Sequence, residues 1–161
     1  MTRNRLTEIY NLLFERFGPQ HWWPGETQFE IIVGAILTQN TNWTNVEKAI
    51  SNLKGKDLLT PGKLYEVDTA KLAELIRPAG YFNIKAKRLK NFLVWFFKRY
   101  DGQLEELENV PVAKLREELL SIKGVGPETA DSILLYALNK PTFVVDAYTA
   151  RVAVRHHLQT R

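Results

Sequence analysis

In Leu119-Leu-Ser-Ile-Lys-Gly-Val-Gly-Pro-Glu-Thr-Ala-Asp-Ser-Ile-Leu134, an apolar helix end runs into a Gly-x-Gly turn, and a second amphipathic helix follows. Glycine permits the positive φ angles and the close approach that such a turn needs. Pro127 suits the first turn of the following helix, where a missing N–H costs nothing. The unused N–H groups of the turn and the positive end of the second helix converge on one point, an anion site suited to a phosphate of DNA. Such a contact positions DNA without reading its sequence. A tight corner whose glycines serve only packing is the other reading. The helical flanks and Ala130 at the packing position favour the phosphate site.

Outward from the hairpin the pattern is helical almost throughout. Leu6, Ile9, Tyr10, Leu13 and Phe17 fall on one helix face, and Gly18-Pro19 stops that helix. Thr27-Gln-Phe-Glu30 reads as a capping box opening an apolar, central helix from Phe29 to Leu37. Thr38-Gln-Asn-Thr-Asn42 interrupts it, and Val46, Ala49, Ile50 and Leu53 mark the next helix. After a loop through Gly55 and Thr60-Pro61-Gly62, helical spacing resumes at Leu72, Leu75 and Ile76, with Thr69 as the expected cap. Pro78 and Gly80 break that segment. Asn83 is the expected cap of a long helix carrying Leu89, Phe92, Phe96 and Tyr100 inward, and Asp101-Gly102 ends it. A short helix with Leu115, Leu119 and Leu120 enters the hairpin, and residues 128–138 leave it. Thr142-Phe-Val-Val145 is the only strand-like run, short enough for an extended connector. The expected class is all-α.

Composition excludes several kinds of chemistry. The chain of 161 residues has no cysteine, so disulfides, thiol catalysis and cysteine-ligated metal sites are excluded within it. With three histidines, two of them adjacent (His156, His157), no metal site is expected from side chains. No apolar stretch reaches membrane-spanning length, and Met1-Thr-Arg-Asn-Arg5 leads into an amphipathic segment, so no signal peptide is expected. A soluble, cytoplasmic protein is expected, nucleoid-associated if prokaryotic. The net charge of +4 is mild, but its distribution is uneven. Arg77 to Tyr100 holds seven basic residues and no acid, and residues 101–120 hold six acids and two bases. Segregated basic stretches are what a phosphate-facing surface requires. A solvated helix face is the bland alternative for any one of them.

Three segments together resemble the endonuclease III superfamily of helix-hairpin-helix DNA glycosylases. They are Ile36-Leu-Thr-Gln-Asn-Thr-Asn42 with the helix after it, Gly80-Tyr-Phe-Asn-Ile-Lys-Ala86, and Ile122 through Val145-Asp-Ala-Tyr-Thr-Ala-Arg151. The resemblance implies a helical barrel lobe over residues 25–140, with the helix-hairpin-helix at about 112–138. It implies a second helical lobe built from residues 1–24 and 141–161, of which this sequence holds only part. Any iron–sulfur cluster of relatives would lie beyond Arg161, so no cofactor is expected within these residues. If the chain ends at Arg161, the Leu6/Ile9/Leu13/Phe17 face should lack part of its cover and be exposed or self-associated; otherwise a monomer is expected.

The family's essential aspartate falls on Asp146, where the resemblance implies that it stabilises the sugar cation or orients the attacking water. Asp146 also precedes a helical segment, so it fits an N-cap, and one residue can do both. The resemblance places Lys123, Gly124, Val125, Gly126, Glu128 and Thr129 at the phosphate-binding hairpin. Members that cut the DNA backbone carry a lysine nucleophile just inside the second hairpin helix; here that position is Glu128. A carboxylate forms no Schiff base, so base removal without strand cutting is expected.

Within the superfamily, Glu128 and the aromatic segments His21-Trp-Trp-Pro24 and Thr38-Gln-Asn-Thr-Asn-Trp43 look most like the bacterial 3-methyladenine DNA glycosylases. By that likeness Trp22 or Trp23, Pro24 and Trp43 would enclose the flipped base; core packing is the other reading of the tryptophans. Gln39, with Asn40 beside it, would fill the gap left in the duplex. Extruding a base costs a few kcal/mol, and aromatic faces return about 1–3 kcal/mol per stacked base. An alkylated purine is cationic and already a good leaving group, so one carboxylate opposing the sugar cation suffices. The implied partner is double-stranded DNA with a damaged base, and no membrane. A mismatch or oxidised-base glycosylase, and a non-catalytic helix-hairpin-helix DNA-binding module, are the rival readings.

Overall fold

A computed structural model describes residues 2–20 and 23–158. It has helices joined by short turns and no strand among the described residues. The chain divides into two compact units. One comprises residues 25–144, the other residues 1–24 with 145–161.

The larger unit is built around α2 (Gln28–Leu37), whose residues are buried almost without exception, with Ile32, Ile36 and Leu37 fully so. Burial of each such side chain contributes about 1.5–3 kcal/mol. Thr27 caps α2 by accepting from the Glu30 N–H (3.1 Å). The return bond of the expected capping box lands one residue early, since Glu30 Oε2 accepts from the Glu26 N–H (3.2 Å). Asn42 caps α3 (Trp43–Gly55), which buries Val46, Ala49, Ile50 and Leu53 against α2.

The stretch read as loop at Thr60-Pro61-Gly62 instead opens a one-turn-and-a-half helix, α4 (Pro61–Glu66), with proline in its first turn and Leu64 buried. The cap of α5 (Thr69–Leu75) is Asp68, not Thr69; its Oδ1 accepts from the N–H groups of Ala70 (2.8 Å) and Lys71 (3.3 Å). A 3-10 turn, Arg77–Ala79, follows. Nor does Asn83 cap the long α6 (Phe82–Tyr100). Tyr81 enters it in the left-handed region at φ 46° with no side-chain cap. As expected, Leu89, Phe92 and Phe96 are buried and Asp101-Gly102 turn the chain out, both at positive φ.

A further short helix, α7 (Leu104–Asn109), precedes α8 (Val112–Ser121). After the hairpin, α9 (Pro127–Ser132) passes into a π-helical turn, Ile133–Ala137, which packs on α2. Residues 140–146 belong to no helix or strand. Lys140 anchors their start by donating to the carbonyls of Glu108 (2.8 Å) and Val110 (2.7 Å).

The smaller unit holds α1 (Thr2–Phe17) and α10 (Ala147–Arg155). Gly18, at φ 65°, ends α1 with its N–H on the Phe14 carbonyl. The apolar face of α1 is open to solvent: Tyr10 is 63% exposed, Leu13 53% and Phe17 60%. With Phe14 they line a groove of about 580 Å³.

Candidate functional site

The hairpin turns on Gly124. Its φ of 101° lies in the region that side chains disfavour, and the Val125 N–H closes the turn on the Ile122 carbonyl (3.0 Å). Gly126 has a different reason to be glycine. Its φ of −96° suits any residue, and an added Cβ would meet nothing within 4 Å. The sequence reading assigned positive φ to the motif's glycines; only Gly124 uses it. What Gly126 leaves is open space over an exposed backbone at the mouth of α9. Lys123, Gly126, Pro127 and Glu128 are exposed, whereas Val125 and Thr129 are buried.

Two helices brace the hairpin. Arg116 of α8 makes a two-point contact with buried Asp131 of α9, Nε to Oδ1 at 2.7 Å and Nη2 to Oδ2 at 3.0 Å. From α6, Asn91 Nδ2 donates to the Lys123 carbonyl (2.8 Å). Gln39 reaches in from the loop after α2. Its Nε2 donates to the Gly124 carbonyl (3.2 Å) and to Thr129 Oγ1 (2.9 Å), and its Oε1 accepts from Arg88 Nη1. The structure thus brings Gln39, Lys123, Gly124 and Thr129 together. Asn40, next to Gln39 in the chain, is exposed at φ 54°. Trp43, half-buried at the start of α3, donates its indole N–H to Glu47 (3.0 Å).

The basic stretch from Arg77 to Tyr100 is not one phosphate-facing surface. Lys85 is buried and donates to the carbonyls of Leu37 (2.8 Å) and Ala79 (2.7 Å), closing the ends of α2 and of the 3-10 turn. Burial pushes its ammonium down to about 8. Lys90 donates to the carbonyls of Leu64 and Tyr65 at the end of α4. Arg99 pairs with Glu118, and Arg77 with Glu74. Much of this charge serves helix ends and ion pairs.

In the other unit, Asp146 is half-buried and caps α10. Its Oδ1 accepts from Thr149 N (2.7 Å) and Thr149 Oγ1 (2.9 Å), which fixes the carboxylate's orientation. Trp23 is half-buried and Pro24 exposed; Trp22 lies outside the described residues. Among the described residues no group of His, Asp or Glu is placed to hold a metal, and no helix is long and apolar enough to cross a membrane. The 161 residues include no cysteine that could ligate an iron–sulfur cluster.

Sequence reading did not find Asn91, Arg88 or Arg116. Each is a polar residue on a helix face that reads as solvated until the hairpin is folded against it.

Two helices joined by this glycine turn, on a helical unit with a central apolar helix, define a helix-hairpin-helix protein. The family of HhH-GPD superfamily base excision DNA repair proteins matches residues 33–161. A Methanocaldococcus jannaschii protein called a DNA repair glycosylase is 57% identical over 150 residues, 92% of this chain and 68% of its own. Endonuclease III of Thermotoga maritima is 28% identical over 93% of this chain and 65% of its own. Among solved structures, the Helicobacter pylori 3-methyladenine DNA glycosylase bound to 1,N6-ethenoadenine matches with a TM-score of 0.75 and 37% identity, over 91% of this chain and 69% of its own. The chain therefore spans about two thirds of the length of these relatives. It belongs to the HhH-GPD superfamily and is a DNA glycosylase of the base excision repair kind.

Proposed function

We propose that the chain binds double-stranded DNA through the Lys123–Thr129 hairpin and hydrolyses the N-glycosidic bond of a flipped alkylated purine of the 3-methyladenine kind, leaving the abasic strand uncut. The observation that carries the monofunctional part is Glu128. It occupies the first turn of α9 directly after Gly126-Pro127, exposed, and it has no amine with which to attack a sugar carbon. Acid at a helix N-terminus is also favourable for α9 itself.

The purine preference draws support from the likeness to the Helicobacter pylori enzyme and from the aromatic residues Trp22, Trp23 and Trp43 with Pro24. Ring faces stack on a flipped base and attract its positive charge. Asp146 is the catalytic carboxylate of this reading: Thr149 holds its Oδ1, and its charge would oppose the developing sugar cation. Gln39 and Asn40 would enter the duplex gap, Gln39 exchanging its bonds to the hairpin for bonds to the orphaned strand.

Borohydride trapping on duplexes carrying an abasic site tests the monofunctional part. The expected result is no covalent protein–DNA adduct from the wild type. An adduct with the wild type would show an amine nucleophile at work and overturn the assignment.

A further inference from the structure

Two carbonyls of the hairpin are held from outside it, by side chains with no net charge. Asn91 grips the Lys123 oxygen (2.8 Å) and Gln39 grips the Gly124 oxygen (3.2 Å). In a planar trans peptide the C=O and the following N–H point opposite ways, and this chain has no cis bond among its described residues. The grip on the Lys123 oxygen therefore turns the Gly124 N–H away from α6. The next plane is set from both ends, Gln39 on its oxygen and the Ile122 carbonyl on the Val125 N–H (3.0 Å). A positive-φ glycine has an otherwise soft backbone, so these two contacts decide where its peptide dipoles aim.

We propose that Asn91 is a positioning residue for DNA. It fixes the Lys123–Gly124 peptide so that the Gly124 N–H, with the Lys123 ammonium beside it, faces a backbone phosphate. Asn91 touches neither base nor sugar in this account and acts only through the turn. The inference rests on the reading of the hairpin as a phosphate site. The Asn91–Lys123 bond lies at the surface, where losing one hydrogen bond costs the fold little.

The test is equilibrium binding of Asn91→Leu to an undamaged duplex at fixed salt, with single-turnover base release at saturating DNA measured alongside. Asn91→Leu removes the donor and changes no charge. The expected result is affinity about five- to tenfold weaker, the scale of one lost bond, with the saturated rate within about twofold, as a role in binding alone requires. Unchanged affinity in a folded Asn91→Leu overturns the inference. Should Asn91→Leu fail to fold, Asn91→Ala takes its place; if that also fails, Asn91 is a structural residue and the inference falls. A wild type that binds no duplex would refute the hairpin reading, whereas a wild type and a variant that bind equally would refute this inference alone.

Discussion

The stem of Arg88 occupies the place where a side chain on Gly124 would have to go; a Cβ there would overlap Arg88 Cγ. Together with its φ of 101° this makes Gly124 a residue of the fold. Gly126 meets nothing and sits at an ordinary φ, so the fold itself does not require glycine there. Gly124→Ala should cost about 1–3 kcal/mol of stability. Gly126→Ala should stay within about 0.5 kcal/mol in denaturant unfolding yet weaken duplex binding about tenfold. Equal effects of the two changes on stability would contradict this division.

Lys85 closes the ends of two helical segments from inside the core. Lys85→Met should destabilise by about 1–3 kcal/mol, the cost of leaving those carbonyls unpaired. Below about pH 8 native and unfolded chains both hold the lysine proton, and the burial penalty is fully present. Between about 8 and 10.5 the unfolded chain still holds the proton while the native chain releases it, so the penalty is relieved as pH rises. Stability relative to Lys85→Met should therefore increase across that window in urea titrations. A flat difference would show that the native ammonium keeps its ordinary proton affinity.

The forked contact between Arg116 and Asp131 ties α8 to α9 across the hairpin. Arg116→Lys keeps the charge and loses the second bond. It should lower the melting temperature and speed amide exchange in α9 more than in α3. Uniform exchange across both helices would place the pair outside the hairpin's support.

The α1 face should behave as exposed apolar surface. Leu13→Glu and Phe17→Glu should reduce binding of an environment-sensitive hydrophobic dye while changing stability by no more than about 0.5 kcal/mol. Loss of helical circular dichroism in either variant would mean that the face is covered in solution.

Long helices and the hairpin were legible because their signals repeat. Ile32, Val33, Ile36 and Leu37 all mark α2, and Gly124-Val-Gly126-Pro127 punctuates one turn unmistakably. The helices α4 and α7 were not, since each buries a single leucine, Leu64 or Leu107, and one apolar position has no period. Asp68 and Thr69 are both good caps, and only the fold chose between them. Tyr81 in the left-handed region is a tertiary decision that no local preference announces. Charge counting misled most at Lys85, which reads as surface and is among the most buried side chains. For the candidate site, the hairpin and the Asp146 cap could be read from residue types. The bracing by Asn91, Arg88 and Arg116 depends on contacts 15 to 49 residues apart in the chain.

The most direct measurement is release of free base from a duplex treated with a methylating agent, followed for the wild type and for Asp146→Asn. The wild type should liberate 3-methyladenine and leave strands intact until alkali is added. Asp146→Asn, which keeps an oxygen for the Thr149 cap but loses the charge, should fall at least about a hundredfold, the scale of one lost electrostatic group. Undiminished release by Asp146→Asn, or no release by the wild type, would contradict it.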